Sequence, residues 1–231
     1  NIGKLVQVRE ETPSPLRGAQ MDILPVIDNA FLLAEKGKIS AFGPMFELPQ
    51  DLLRSVENVI DAEGKMVLPS FCDCHTHLVY AGSREIEFID KIRGLSYQEI
   101  AARGGGILNS ARLLHETSEE ELFRQAMVRV EEVMHFGTGA IEIKSGYGLT
   151  TEDEIKMLRV VRRIAEESPL TVKATFMGAH AFPERFRDDH EGYVREIINE
   201  MIPAIAAEGL AEYIDVFCEE GFFSKEESDR I

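Results

Sequence analysis

The densest chemistry in the sequence is Phe71-Cys72-Asp73-Cys74-His75-Thr76-His77, at the end of a run with strand-like composition. Alternate side chains of an extended chain share a face, so His75 and His77 lie about 7 Å apart and both imidazoles can converge on one metal ion. Two buried, hydrogen-bonded histidines are the plainer reading of the same pattern. Asp73 shares their face, where it either orients a ligating ring or satisfies backbone amides. Cys72 and Cys74 point the other way, and core packing is expected of them rather than a soft-metal site.

Glu142-Ile143-Lys144-Ser145-Gly146-Tyr147-Gly148 is a second constellation. Its glycines let the backbone turn tightly, so that Tyr147 either recognises a substrate over the mouth of a sheet or forms an aromatic lid on the core. Glu142 and Lys144 share a strand face and are expected to pair; a carbamylated lysine bridging two metals is a rarer use of such a position. Met177-Gly178-Ala179-His180 ends a third apolar run, with small residues that admit a ligand near His180. A satisfied loop histidine is the alternative there.

Residues 79–117 form an unusually long connection holding Arg84, whose guanidinium fork can clamp a carboxylate or simply face water. The Gly104-Gly105-Gly106 run lacks the Lys-Ser/Thr of a phosphate-binding loop and follows no strand directly, so it is a weak signal. His115, His135 and His190 fall on helices or their edges and are read as structural.

Elements must bring these residues together. Strands are expected at Met66 to Cys74, Ala140 to Lys144, Leu170 to Met177 and Tyr213 to Cys218. Helices are expected at Ser118 to Phe136, from a Thr151 cap to Glu167, at Glu191 to Ala207, and from Ser224 onward. This alternation requires a parallel sheet, either open and doubly wound or closed as a barrel. Four βα units are half of a (β/α)₈ barrel, and a helix cut at Ile231 suggests the N-terminal portion of a longer protein. Residues 1–65, with short apolar runs broken by Gly and Pro, read as a small β-rich domain before a barrel domain at 66–231.

Composition narrows the partners. With 25 Lys+Arg against 41 Asp+Glu, the formal charge of −16 repels phosphate backbones and anionic membranes. No apolar window is long enough to span a bilayer and no secretory signal opens the chain, so a cytoplasmic protein is expected, with its 3 cysteines reduced.

Together these segments resemble the amidohydrolase superfamily, and within it the imidazolonepropionases, the cyclic amidohydrolases of histidine degradation. The resemblance rests on residues 68–78, Ala81-Gly82-Ser83-Arg84-Glu85, Gly104-Gly105-Gly106-Ile107, residues 142–149, Gly178-Ala179-His180-Ala181 and Asp215-Val216-Phe217-Cys218-Glu219. It implies an α/β fold, a TIM-type barrel about half present, with a small β domain. It also implies one divalent Zn or Fe held by His75 and His77, with Arg84, Tyr147 and His180 on imidazolone-propanoate. His180 is the catalytic candidate within the chain; the acidic general base and remaining ligands are expected beyond Ile231, so the fragment itself is expected to be inactive. A small-molecule substrate and a homodimer fit this reading, without nucleic acid or membrane. A guanine-deaminase-like ring hydrolase and a non-catalytic anion-binding or assembly domain are the competing readings.

Overall fold

The computed structural model describes residues 1–9, 15–49, 51–52, 56–83, 85–96, 99 and 106–231. The chain divides into two units, Asn1–Ser70 and Phe71–Ile231. In the first, β1 (Ile2–Val6), β2 (Val26–Glu35), β3 (Lys38–Pro44) and β4 (Ala62–Val67) form one sheet in the order β3-β2-β1-β4. The β1–β2 and β2–β3 pairs are antiparallel and β1–β4 is parallel. Its core is small: Ile2, Leu5, Ala30 and Ala62.

In the second unit, β5 (Phe71–Thr76), β6 (Thr138–Lys144), β7 (Thr171–Ala179) and β8 (Tyr213–Val216) form a parallel sheet in sequence order. Parallel neighbours need crossovers, and helices supply them. Between β5 and β6 run α1 (Glu85–Ile92), α2 (Ile107–Glu116) and α3 (Glu119–His135); α4 (Thr151–Glu167) links β6 to β7. Between β7 and β8 lie α5 (His190–Glu196), a π-helical stretch (Ile197–Met201) and α6 (Ile202–Glu208), and α7 (Lys225–Arg230) follows β8. Four consecutive βα units in this order match half of a (β/α)₈ barrel.

Local rules explain most boundaries. Ser118 Oγ accepts the Glu121 amide at 3.3 Å to start α3, and Ser224 closes a reciprocal capping box with Glu227 to start α7. The expected single strand from Met66 to Cys74 is instead two, because Pro69 has no amide to donate to a ladder and the chain leaves one sheet before joining the next. Thr150, not Thr151, caps α4: its Oγ1 accepts the Asp153 amide at 3.2 Å. The long connection after β5 carries two helices that the glycine-rich sequence obscured. The single helix expected from Glu191 to Ala207 is interrupted by the π stretch just before Pro203, whose ring and missing amide break the regular ladder.

Two apolar clusters hold this unit together. Leu122, Ala126 and Val130 of α3 and Met157, Val160 and Ile164 of α4, spaced at helical three- and four-residue steps, pack with Ile141 and Ile143 of β6. Farther along, Tyr193, Ile197, Met201 and Ile205 pack with Phe176 and Phe223. Truncating a fully buried Leu122 or Ile164 to Ala would cost about 2–5 kcal/mol. Cys72 and Cys74, expected in the core, are exposed instead. They sit on β5, which pairs with β6 alone among the described strands, so the helical layer over β6 and β7 leaves them uncovered.

A candidate active site at the strand ends

The C-terminal ends of β5, β6 and β7 bring together the chemistry-bearing residues. A register shift in the β5–β6 pairing between Asp73 and Thr76 interrupts the regular alternation around His75. The His75 and His77 rings nevertheless stay close, with centroids 5.9 Å apart. Asp73 Oδ1 accepts the His75 backbone amide at 3.4 Å, the plainer of its two expected uses. Thr76 fastens this end of β5 to β6: its Oγ1 donates to the Glu142 carbonyl at 2.6 Å, and its amide donates to Glu142 Oε2 at 3.3 Å.

His180, from the end of β7, stacks on His77 with centroids 4.8 Å apart and 12° between planes. Tyr147, from the turn after β6, lies 5.3 Å from the His77 ring and 5.4 Å from His180. Residues distant in sequence thus form one aromatic group. His180 Nδ1 donates to the Gly146 carbonyl at 2.9 Å, which fixes the proton on that nitrogen. Beside this group is a cavity of about 220 Å³ lined by His77, Tyr80, Gly82, Ser83, Ser110 and Tyr147. Burial, followed by the nearby His180, His75 and Lys144, holds the His77 imidazole down at about 4, with Glu142 opposing them.

Lys144 lies beneath these rings, almost fully buried. Its Nζ contacts Glu142 Oε1 at 2.6 Å, the expected pair, and Asp215 Oδ2 at 3.0 Å, a partner that sequence reasoning missed because β8 is far away in the chain. Burial alone would lower the Lys144 pKa, but the two carboxylates outweigh it and raise it. A cation held this way opposes carbamylation, which needs the neutral amine.

The remaining expectations fall into place individually. Arg84, Arg103, Gly104 and Gly105 lie outside the described residues. Gly106 begins α2, and its amide donates to Glu87 Oε1 at 2.8 Å, so this part of the glycine run serves a helix start. The three other histidines have structural partners: His115 Nδ1 meets Asp153 Oδ2 at 2.8 Å, His135 Nδ1 donates to the Glu131 carbonyl, and His190 stacks on Phe182. Glu154 was missed altogether. Its only sequence signal was an acidic residue in the first turn of a helix, a placement that usually faces solvent; here it is fully buried beneath the Tyr147 turn.

The histidine pair suits a divalent cation in one further respect. His77 Nδ1 is buried with no hydrogen-bond partner among the described residues, and the ring is neutral near pH 7, so a lone pair is available to a ligand. No group of three or more His, Cys, Asp or Glu that could hold a metal forms among the described residues.

No family model matches the chain. Along all 231 residues it is 55% identical to an imidazolonepropionase of Flavobacterium johnsoniae, covering 100% of this chain and 56% of that relative. It is 43% identical over 230 residues to an imidazolonepropionase of Geobacillus thermodenitrificans, covering 99% of this chain and 54% of the relative. In fold it is similar to 5-methylcytosine deaminase from Klebsiella pneumoniae in complex with 5-fluorocytosine, with a TM-score of 0.50 and 14% identity over 94% of this chain and 51% of that one. By sequence the chain is similar to the imidazolonepropionases along its whole length, and it spans about half the length of the curated relatives it matches.

Proposed function

We propose that the chain contributes the His-x-His corner and one wall of the substrate pocket to a metal-dependent hydrolase that opens the ring amide of 4-imidazolone-5-propanoate to N-formimidoyl-L-glutamate. The observation that carries this reading is the group formed by His77, Tyr147 and His180 beside the 220 Å³ cavity, in a chain 55% identical to a curated imidazolonepropionase. The complete barrel of the amidohydrolase type, of which four βα units are present, is part of the same proposal.

His75 and His77 would hold a divalent Zn or Fe, with further ligands and an acidic general base supplied by residues other than those described. Bound there, the metal would lower the pKa of a water towards 7 and polarise the ring carbonyl. The chain's own residues do the rest of the local work. Neutral His77 offers a lone pair without first losing a proton. His180, with its Nδ1 proton committed to Gly146, presents Nε2 to the ring or its carbonyl. Tyr147 supplies a phenol at the mouth. Arg84 would grip the propanoate tail, a planar anion suited to two parallel hydrogen bonds.

The fold likeness to a deaminase, at 14% identity, speaks for architecture and not for the reaction, so the ring-amide reading is preferred over deamination. Steady-state kinetics of the complete protein test it. Imidazolone-propanoate should be turned over, and Arg84→Met should raise its KM through loss of about 1.5–3 kcal/mol of binding while leaving a tail-less imidazolone nearly unaffected. Absence of turnover, or equal weakening of both substrates, would remove the assignment. A metal-free complete protein would favour the non-catalytic anion-binding reading instead.

A further inference from the structure

Glu154 is a buried carboxylate that the proposed chemistry does not use, and its surroundings are unusual. Standing in the first turn of α4, it is 0% exposed and reaches back over the helix start to the turn that follows β6. Its Oε2 accepts the Gly146 amide at 2.9 Å, and its Oε1 accepts the amides of Gly148 at 2.7 Å and Leu149 at 2.9 Å. The Ser145 hydroxyl is a fourth partner, and Ser145 Oγ in turn accepts the Met177 amide of β7 at 3.0 Å. The positive end of the α4 dipole lies beneath the same carboxylate.

These bonds bracket Tyr147 on both sides and hold Gly146, whose carbonyl receives His180 Nδ1. The sequence around them is cut to fit. A side chain at Gly148 would place its Cβ 2.5 Å from the Glu154 amide nitrogen, a backbone atom that cannot yield. At Gly146, with φ +110°, a Cβ would come 2.9 Å from the Met177 carbonyl and 3.0 Å from His180 Nδ1. Leu149 holds a positive φ of 55°, a strained conformation for a branched residue that the Glu154 bond on one side and the Arg185 guanidinium on its carbonyl at 3.2 Å over-determine.

We propose that Glu154 is a positioning residue for the substrate pocket: its carboxylate holds the 145–149 turn in the shape that sets Tyr147 and His180 side by side. The proposal rests on the reading of Tyr147 and His180 as substrate contacts. Glu154→Gln keeps the volume but replaces one acceptor oxygen with an amide whose hydrogens face backbone N–H donors, so the turn must shift.

The test uses the complete protein labelled with 3-fluorotyrosine, in which Tyr147→Phe identifies the Tyr147 resonance. Glu154→Gln should retain a cooperative thermal transition, move or broaden that resonance, and lower kcat/KM for imidazolone-propanoate by roughly tenfold to a hundredfold, as a misplaced contact does. In a Tyr147→Phe background the same substitution should cost much less. An unmoved Tyr147 resonance, or kinetic losses that simply multiply in the double variant, would overturn the proposal. If Glu154→Gln does not fold, Glu154→Asp, one methylene shorter with its charge retained, takes its place under the same criteria. Failure of both to fold would make Glu154 a stability residue and overturn the positioning role. The fluorine readout needs no substrate, so it decides on Glu154 even if imidazolone-propanoate proves not to be turned over.

Discussion

The His77 and His180 imidazoles stack at 4.8 Å with only 12° between their planes, although one ends β5 and the other ends β7. β6 lies between these strands in the sheet, so the contact spans the full width of a strand and depends on both rings reaching over the end of β6. Tyr147, from the turn that leaves β6, closes the third side. Parallel strands of consecutive βα units make this possible because all their C-terminal ends lie at the same edge of the sheet.

Metal content follows from the histidine pair. In the complete protein, elemental analysis should show about one Zn or Fe per chain, falling close to zero in the His75→Ala, His77→Ala double variant. His180→Ala should leave the metal content unchanged, because its Nδ1 is engaged with Gly146 and its proposed role is toward substrate. Full metal retention in the double variant would place the ligands elsewhere.

Lys144 is expected to matter for stability more than its single charge suggests. Lys144→Met would leave Glu142 and Asp215 near each other without their shared cation. Removing one partner of a buried ion pair costs about 3–5 kcal/mol, and the partial exposure of Asp215 brings the expected loss down to about 2–3 kcal/mol. Urea denaturation measures it. A loss smaller than 1 kcal/mol would mean that solvent already screens the cluster, and Lys144→Met, Asp215→Asn should then be no more stable than the single variant.

Much of this was legible in the sequence, for reasons that separate local from distant effects. The α7 cap could be read directly, and the α3 cap to within Thr117 or Ser118, because Ser118 and Ser224 act within three residues of themselves. The convergence of His75, His77, Tyr147 and His180 could be read because strand ends in a βα fold share an edge. Asp215 as the second partner of Lys144 could not, since nothing local to either residue specifies the β6–β7–β8 geometry that joins them. Glu154 was hidden for a different reason: an acidic residue in the first turn of a helix is ordinary, and only the folded turn shows that its carboxylate faces inward to the amides of Gly146, Gly148 and Leu149. The exposure of Cys72 and Cys74 depends on what lies beside β5, which no strand pattern states.

The last prediction concerns pH and the joint between α2 and α4. Asp153, only 5% exposed, receives His115 Nδ1 and Lys156 Nζ, each at 2.8 Å, while Lys156 also donates to the Leu114 and Thr117 carbonyls at the end of α2. Burial would raise the Asp153 pKa, but the bonds from Lys156 and His115 prevail and hold it below the usual carboxylate range. A carboxylate whose pKa is depressed by folding adds stability above its unfolded pKa of about 3.9 and loses it as pH falls through the lower folded value. Asp153→Asn should therefore be less stable than the parent by about 1.5–3 kcal/mol at pH 7, the range for hydrogen bonds to a charged group. The gap should begin to narrow as pH falls below about 4, where the unfolded chain takes up the proton, and close as pH falls on through the lower folded value, where the folded parent also becomes neutral at this position. Thermal melts of parent and variant from pH 7 to pH 3 give the comparison. A gap that stays constant across that range would show that Asp153 acts through packing or its α4 cap, and that the Lys156 and His115 contacts add nothing that depends on its charge.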